Sequence, residues 1–345
     1  MTVFMELLQG GWNALLEYLS AHVLTCLVPA FFIAGAIAIF ISQGSVIRYF
    51  GPKAKKLLSY SVASVSGTIL AVCSCTVLPL FGGICKRGAG IGPAIAFLYS
   101  GPAINVLAIV YTARLLGYEL GLARIFGALA FAAGIGLIMA FIYRKEESLK
   151  DAAAFDALST DPQSKTWWQQ AAFFTSLVGI LVFAASKNWI ATVILLAGLG
   201  VVMWRWFSRD EIILWLKETL HFVRLIVPWL LGGVFIAGII TTFVPADFVT
   251  TYAGVNSLLA NLGASLFGTL MYFATLTEVP IIRAFMDLGM GQGPVLALLL
   301  AGPALSLPNM LVIRSIMGTR KTLTYIVLVV VFATISGYIF GLIAS

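Results

Sequence analysis

Two cysteines one residue apart stand in the run Cys73-Ser74-Cys75-Thr76-Val77-Leu78-Pro79. Thiolates are soft ligands and select thiophilic species such as Cu(I), Zn(II) or trivalent arsenic. On a strand the two thiols would point to opposite sides, whereas in a tight turn both can face one ligand. Pro79 has no N–H to give a helix, so the helix is expected to open just before it. That would free backbone carbonyls beside the hydroxyls of Ser74 and Thr76. The plainer role for a cysteine is packing as a small hydrophobe; pairing beside a helix breaker favours chemistry. About 200 residues later the run Ala274-Thr275-Leu276-Thr277-Glu278-Val279-Pro280 takes the same place, with Glu278 opposite Val77 and no cysteine. An ionisable group at membrane depth is expensive and marks function by default. Desolvation disfavours its charged form, which suits a proton carrier. The competing reading puts Glu278 near the interface or pairs it with Arg283, with Asp287 a loop charge.

A second set of breaks reads Ser100-Gly101-Pro102-Ala103-Ile104-Asn105 and Ala301-Gly302-Pro303-Ala304-Leu305-Ser306. Gly permits unusual dihedrals and Pro frees a carbonyl. Ser100, Asn105, Ser306 and Asn309 would add side-chain hydrogen bonds. The alternative is a packing kink. His22 and His221 read as caps of their spans at the interface, Cys85 as a boundary residue and Cys26 as packing.

These runs need a membrane around them. Of 345 residues, 61% are apolar and 10% charged, against about 25% charged in a soluble chain. Mean hydropathy is +1.02. Apolar stretches of roughly 20 residues, enough to cross a bilayer, are centred on Phe31–Ile41, Arg124–Tyr143, Ile190–Trp204, Ile226–Phe243 and Leu323–Ile343. The N-terminus lacks a basic n-region and carries Glu6 and Glu17, so no cleavable signal peptide is expected. The net charge of +7 lies at the ends of apolar segments, where Lys and Arg orient a membrane protein. The expected partners are the bilayer and a small-molecule or metalloid solute, not nucleic acid. The four cysteines do not form the framework of a small secreted domain. No cofactor is called for, and the longest hydrophilic stretch, residues 144–166, is too short for a soluble catalytic domain.

The chain reads as a duplication. His22 and Pro29 recur as His221 and Pro228, and Gly67-Thr68 as Gly268-Thr269. Pro79 recurs as Pro280, Gly88 as Gly289, Gly92-Pro93 as Gly293-Pro294, and Gly101-Pro102-Ala103 as Gly302-Pro303-Ala304. Basic clusters lie at Arg48/Lys53/Lys55/Lys56, Arg144/Lys145/Lys150, Arg205/Arg209/Lys217 and Arg314/Arg320/Lys321. With all four in the cytoplasm, both termini are outside and the repeats have opposite orientations. The loop near Asp247, equivalent to 48–56, has no Lys or Arg. The expected layout is an all-α inverted-repeat transporter in the cell (inner) membrane, with about eight net crossings from about ten apolar segments. Residues 20–143 form the first half, broken near 73–79 and 100–105, and residues 144–166 a cytoplasmic loop. Residues 167–210 carry two connecting spans, and 218–345 form the second half, broken near 274–280 and 301–309. Broken segments are tolerated at membrane depth where protein or a water-filled cavity surrounds them. Arg114 and Arg124 fall outside in this topology, against the usual bias.

The stretch from Gly67 to Ala108 resembles the predicted-permease family that includes the arsenical efflux permeases. The resemblance rests on Cys73-Ser74-Cys75 with Pro79-Leu80, on Lys86-Arg87-Gly88-Ala89-Gly90, and on the run from Ala96 to Asn105. It implies a permease fold and, in one branch, export of trivalent organoarsenicals; other branches are linked to soft-metal efflux. The family cysteines carry over to Cys73 and Cys75, as transient metal or metalloid contacts. The sequence lacks a His-rich tail for metal capture. The leading expectation is therefore a permease for a soft, thiol-reactive solute. Its substrate-binding residues would be Cys73, Ser74, Cys75, Thr76, Pro79, Ser100, Asn105, Thr277, Glu278, Ser306 and Asn309, with Glu278 for proton coupling. The alternatives are a permease for a sulfur compound or small anion, with structural or redox-active cysteines, and an intramembrane thiol oxidoreductase. The last wants Cys-x-x-Cys geometry and a polar partner, neither of which is evident.

Overall fold

The computed structural model describes residues 2–20, 25, 27–41, 56–70, 74–104, 106–147, 166–243, 253–271 and 278–344. Among these residues every regular element is a helix, as expected where lipid can satisfy no backbone group. The first half comprises α1 (Thr2–Tyr18), α2 (Val28–Phe40), α3 (Lys56–Leu70), α4 (Ser74–Lys86), α5 (Ile91–Ala103), α6 (Val106–Leu115) and α7 (Tyr118–Ile142). Two helices follow, α8 (Trp167–Ala185) and α9 (Trp189–Trp206). The remainder comprises α10 (Arg209–Phe243), α11 (Leu258–Leu270), α12 (Glu278–Asp287), α13 (Gln292–Leu305), α14 (Leu307–Met317) and α15 (Thr319–Ile343). Local chemistry sets several boundaries. Ser208 and Glu211 form a reciprocal capping box ahead of α10, with Ser208 N donating to Glu211 Oε2 at 2.7 Å and Glu211 N to Ser208 Oγ at 3.3 Å. Ser257 accepts from Ala260 N at 3.1 Å to start α11.

Many features recur 201 residues apart. Helices α7 and α15 are each 25 residues long and begin at 118 and 319. Each is preceded by a glycine at positive φ, Gly117 at 110° and Gly318 at 83°, a backbone that other residues rarely adopt. Each bent pair, α5 with α6 and α13 with α14, turns by about the same angle, 46° and 45°. In both halves a central helix packs between two others: α5 against α3 and α7, and α13 against α11 and α15. The halves also exchange contacts, α4 of the first packing on α14 of the second and α12 of the second on α6 of the first.

Helices α5 and α13 form the centre. All of Ile91–Ala103 and all of Gly293–Leu305 are buried, as a helix apolar on every face must be. Small residues let their neighbours approach closely. A Cβ on Gly136 of α7 would lie 2.7 Å from the Gly92 carbonyl, and one on Gly337 of α15 would lie 2.6 Å from the Gly293 carbonyl. The outer helices show the reverse pattern: Ile190, Trp204 and Ile343 are 77%, 86% and 77% exposed. Such apolar surface suits lipid, not water.

Five helices are long and apolar enough to cross a membrane, or seven spans if each bent pair counts as one, among the described residues. The helices do not open at the prolines themselves. Pro79, Pro102 and Pro303 lie inside helices, so α4 opens at Ser74 and not at Pro79. Each proline removes one intrahelical bond, and packed neighbours tolerate the loss. The chain breaks after Ala103 and at Ser306, one to three residues past the Gly-Pro pairs. The loop near Asp247 and most of the 48–56 and 144–166 segments lie outside the described residues.

If the glycine contacts hold the halves together internally, Gly337→Val should lower the melting temperature of the detergent-purified protein markedly. Overpacking a tight contact costs about 1–3 kcal/mol or more. Gly200→Val, where a Cβ would meet nothing within 4 Å, should leave it nearly unchanged.

Candidate functional site

Arg124 sits in the second turn of α7 and Glu278 is the first residue of α12, so one belongs to each half. Their side chains are 0% and 1% exposed, and Arg124 Nη2 donates to Glu278 Oε2 at 3.1 Å. Arg124 Nη1 donates to Thr112 Oγ1 at 3.0 Å, and Nε to the carbonyl of Ala103, the last residue of α5, at 3.3 Å. Thr112 in turn donates to Ala108 O at 2.7 Å. One guanidinium therefore ties the end of α5, the middle of α6 and the start of α12 together. A carboxylate at the first position of a helix also meets the positive end of its dipole. Burying two charges costs several kcal/mol per ion unless geometry and further hydrogen bonds compensate. Arg124 has these bonds; Glu278 Oε1 has no partner among the described residues.

Nearby, Tyr99 of α5 donates to the carbonyl of Leu300 on α13 at 2.9 Å. These positions are 201 residues apart, so the bond joins equivalent points of the two halves at their crossing.

The pairing of Glu278 with Arg283 does not occur. Arg283 Nε instead pairs with exposed Asp287 one turn on, at 2.9 Å, and its Nη1 donates to Leu115 O at 3.1 Å. Asp287 closes α12 and is not in a loop. Arg124, which stood on the wrong side of the expected topology, is in the core. Its violation of the charge bias was the available signal: an arginine within an apolar run is expected to pair inside the protein.

Of the other expected residues, Thr76, Ser100, Ser306 and Asn309 are buried. Ser100 donates back to Phe97 O at 3.2 Å. Ser306 Oγ and Asn309 Oδ1 have no partner among the described residues. Pro79 lies in the middle of α4. Cys73, Asn105 and Thr277, and the side chains of Ser74 and Cys75, lie outside the described residues. Among the described residues no cluster of three His, Cys, Asp or Glu could hold a metal ion.

A cavity of about 490 Å³ opens at the end of the bundle where α4, α10 and α14 meet. Its lining includes Cys85, His221 and Lys321, but neither Arg124 nor Glu278. Around it Lys86 pairs with Glu218, joining one half to the other, and Lys321 pairs with Glu146 just past the end of α7. Tyr143 and Thr324 add a hydroxyl pair at 2.8 Å.

A helical bundle with lipid-facing apolar surface, broken helices and a desolvated ion pair between its halves is a multi-pass membrane protein of transporter type. The chain belongs to the ArsP_1 family, described as predicted permease, which it matches over residues 9–342. It is 45% identical to UPF0718 protein MJ0584 of Methanocaldococcus jannaschii over 99% of this chain and 98% of that one. It is 23% identical to UPF0718 protein YraQ of Escherichia coli over 88% of this chain and 74% of that one. No solved structure matches it. The family description is that of a permease, in keeping with a transporter.

Removing one partner of the ion pair should be far worse than removing both. Arg124→Gln alone is expected to destabilise the detergent-purified protein by about 3–5 kcal/mol, by leaving a buried carboxylate unpaired. The Arg124→Gln/Glu278→Gln double variant should recover most of that melting temperature. Equal losses in the single and double variants would show that the two side chains do not act as a pair.

Proposed function

We propose that the chain is a permease that exports a soft, thiol-reactive solute, with trivalent organoarsenicals or a related soft metal or metalloid as its substrate class. The observation that carries the reading is the Arg124–Glu278 bridge, the one fully buried ion pair among the described residues, placed where the bent hairpin of the first half meets α12 of the second. In this reading the halves are inverted with respect to each other, the chain makes about eight net crossings of the cell (inner) membrane, and both termini are outside. The charge placement supports that orientation, and elements recurring at one offset support two equivalent halves. The cavity beside Lys86 and Lys321 is then the cytoplasmic mouth, and the Lys86–Glu218 pair beside it holds the halves together on that side.

Cys73 and Cys75 immediately precede or open α4, whose counterpart α12 opens with Glu278. They contact the solute transiently, since a site that binds too tightly cannot release. Glu278 supplies the coupling. Its free Oε1 can take a proton, which would weaken its hold on Arg124 and loosen the link between halves. Transport thus needs two arrangements of one link, biased by proton and solute.

Cells expressing the chain should accumulate less methylarsenite than cells without it, and Cys73→Ser/Cys75→Ser should raise accumulation to the control level. In proteoliposomes, Glu278→Gln should remove the dependence of arsenical flux on an imposed pH gradient. Wild-type export by the double serine variant would sink the thiol role. A gradient response in Glu278→Gln that matches wild type would sink the coupling role.

A further inference from the structure

The ion pair has a counterpart of different chemistry. Adding 201 to Arg124 gives Tyr325 of α15, and subtracting 201 from Glu278 gives Val77 of α4. Both counterparts are buried, Tyr325 at 0% and Val77 at 1% exposure. Arg124 has three acceptors, but the Tyr325 hydroxyl has no partner among the described residues. Two more orphans accompany it on the neighbouring helix: Ser306 Oγ at the break into α14 and Asn309 Oδ1 in its first turn. Helix α14 packs on α15 and on α4. Helix α15 packs on α7, which carries Arg124, and on α13, whose Leu300 accepts from Tyr99, so the two places share one neighbourhood.

A buried polar atom left unpaired costs free energy, and such atoms in native proteins call for a bound partner. Here donors and acceptors are mixed: hydroxyls on Tyr325 and Ser306, and acceptors on Asn309 and Glu278. The buried charged residues among those described are Arg124 and Glu278, which cancel. An anion entering would meet no uncommitted cation, and would have to break that pair to find one. A neutral solute with several hydroxyls can both donate to and accept from such groups without disturbing that pair.

We propose that Tyr325, Ser306 and Asn309 form a hydrogen-bonding half-site, standing opposite the ion pair, that selects a neutral hydroxylated solute over an anion. This rests on the permease reading and narrows its solute: a trivalent metalloid would be held through its hydroxyls on this side while thiols engage it elsewhere. Tyr325 is the solute-contacting residue that the sequence reading did not reach.

Binding to the detergent-purified full chain tests this, by calorimetry and thermal shift, with methylarsonous acid, arsenous acid, boric acid and thiosulfate as probes. Boric acid is neutral and hydroxylated but has no comparable affinity for thiols. Wild type should bind the neutral probes and not thiosulfate. Tyr325→Phe, which deletes only an orphaned hydroxyl, should melt no lower than wild type when empty, yet bind the neutral probes roughly fivefold more weakly. Ser306→Ala should act in the same direction and carries the test if Tyr325→Phe does not fold. Boric acid bound in wild type and weakened in Tyr325→Phe, with no arsenical bound, would uphold the half-site while the thiol-reactive substrate class falls. Arsenicals bound equally by wild type, Tyr325→Phe and Ser306→Ala would overturn the half-site and leave that class standing. Thiosulfate bound more tightly than every neutral probe would overturn the charge argument.

Discussion

A guanidinium and a carboxylate held out of water, one from each half of the chain, set the terms for everything around them. Neither Arg124 nor Glu278 could be buried alone, because an isolated charge in so apolar an interior is costly. Together they require the end of α5, Thr112 of α6 and the start of α12 to stay in register, since each contributes to the guanidinium's hydrogen bonds or its charge. The bent hairpin of the first half is thereby pinned to the second. Such a link adds little net stability compared with apolar packing, but it is specific, and it is built of ionisable groups that packed leucines lack.

The frame around the link is built twice; the chemistry is not. Gly92 against Gly136 and Gly293 against Gly337 make the same close helix contact in the two halves. Gly117 and Gly318 make the same turn. On this repeated frame, arginine faces glutamate on one side, while tyrosine and valine occupy the matching positions on the other. The cysteine pair belongs to the valine side of the sequence. A site at the meeting of two equivalent halves is free to have two unlike walls, because backbone geometry is set by glycine and proline and leaves the remaining side chains open to diverge.

The periphery follows from the solvent. Helix α9 shows apolar side chains outward and buries little, while α5 and α13 are buried almost throughout. The charged residues that remain are mostly at the helix ends. There Lys86 pairs with Glu218 and Lys321 with Glu146 in water-accessible positions, where ion pairs are weak and readily exchanged. Among the described residues one link is deep; the others are shallow and gather around the cavity.

Composition and local motifs were enough for the membrane class and the permease family resemblance, because these depend on hydropathy and on short runs of sequence alone. Glu278 stood out for the same reason, as a lone carboxylate in an apolar run. Its partner did not. Arg283, five residues away, was the near candidate, and Arg124, 154 residues away, looked like a topological misfit. Pairing across such a separation is settled by how α7 packs beside the break after α5, and sequence spacing carries no trace of that. The orphaned hydroxyl of Tyr325 was equally silent, since an aromatic residue in an apolar helix looks like packing until its surroundings are known. Pro79 misled in the opposite sense: it marks a lost hydrogen bond, but whether the helix opens there depends on the neighbours that enclose it, and α4 continues past it to Lys86, whereas α5 and α13 end one and two residues after Pro102 and Pro303.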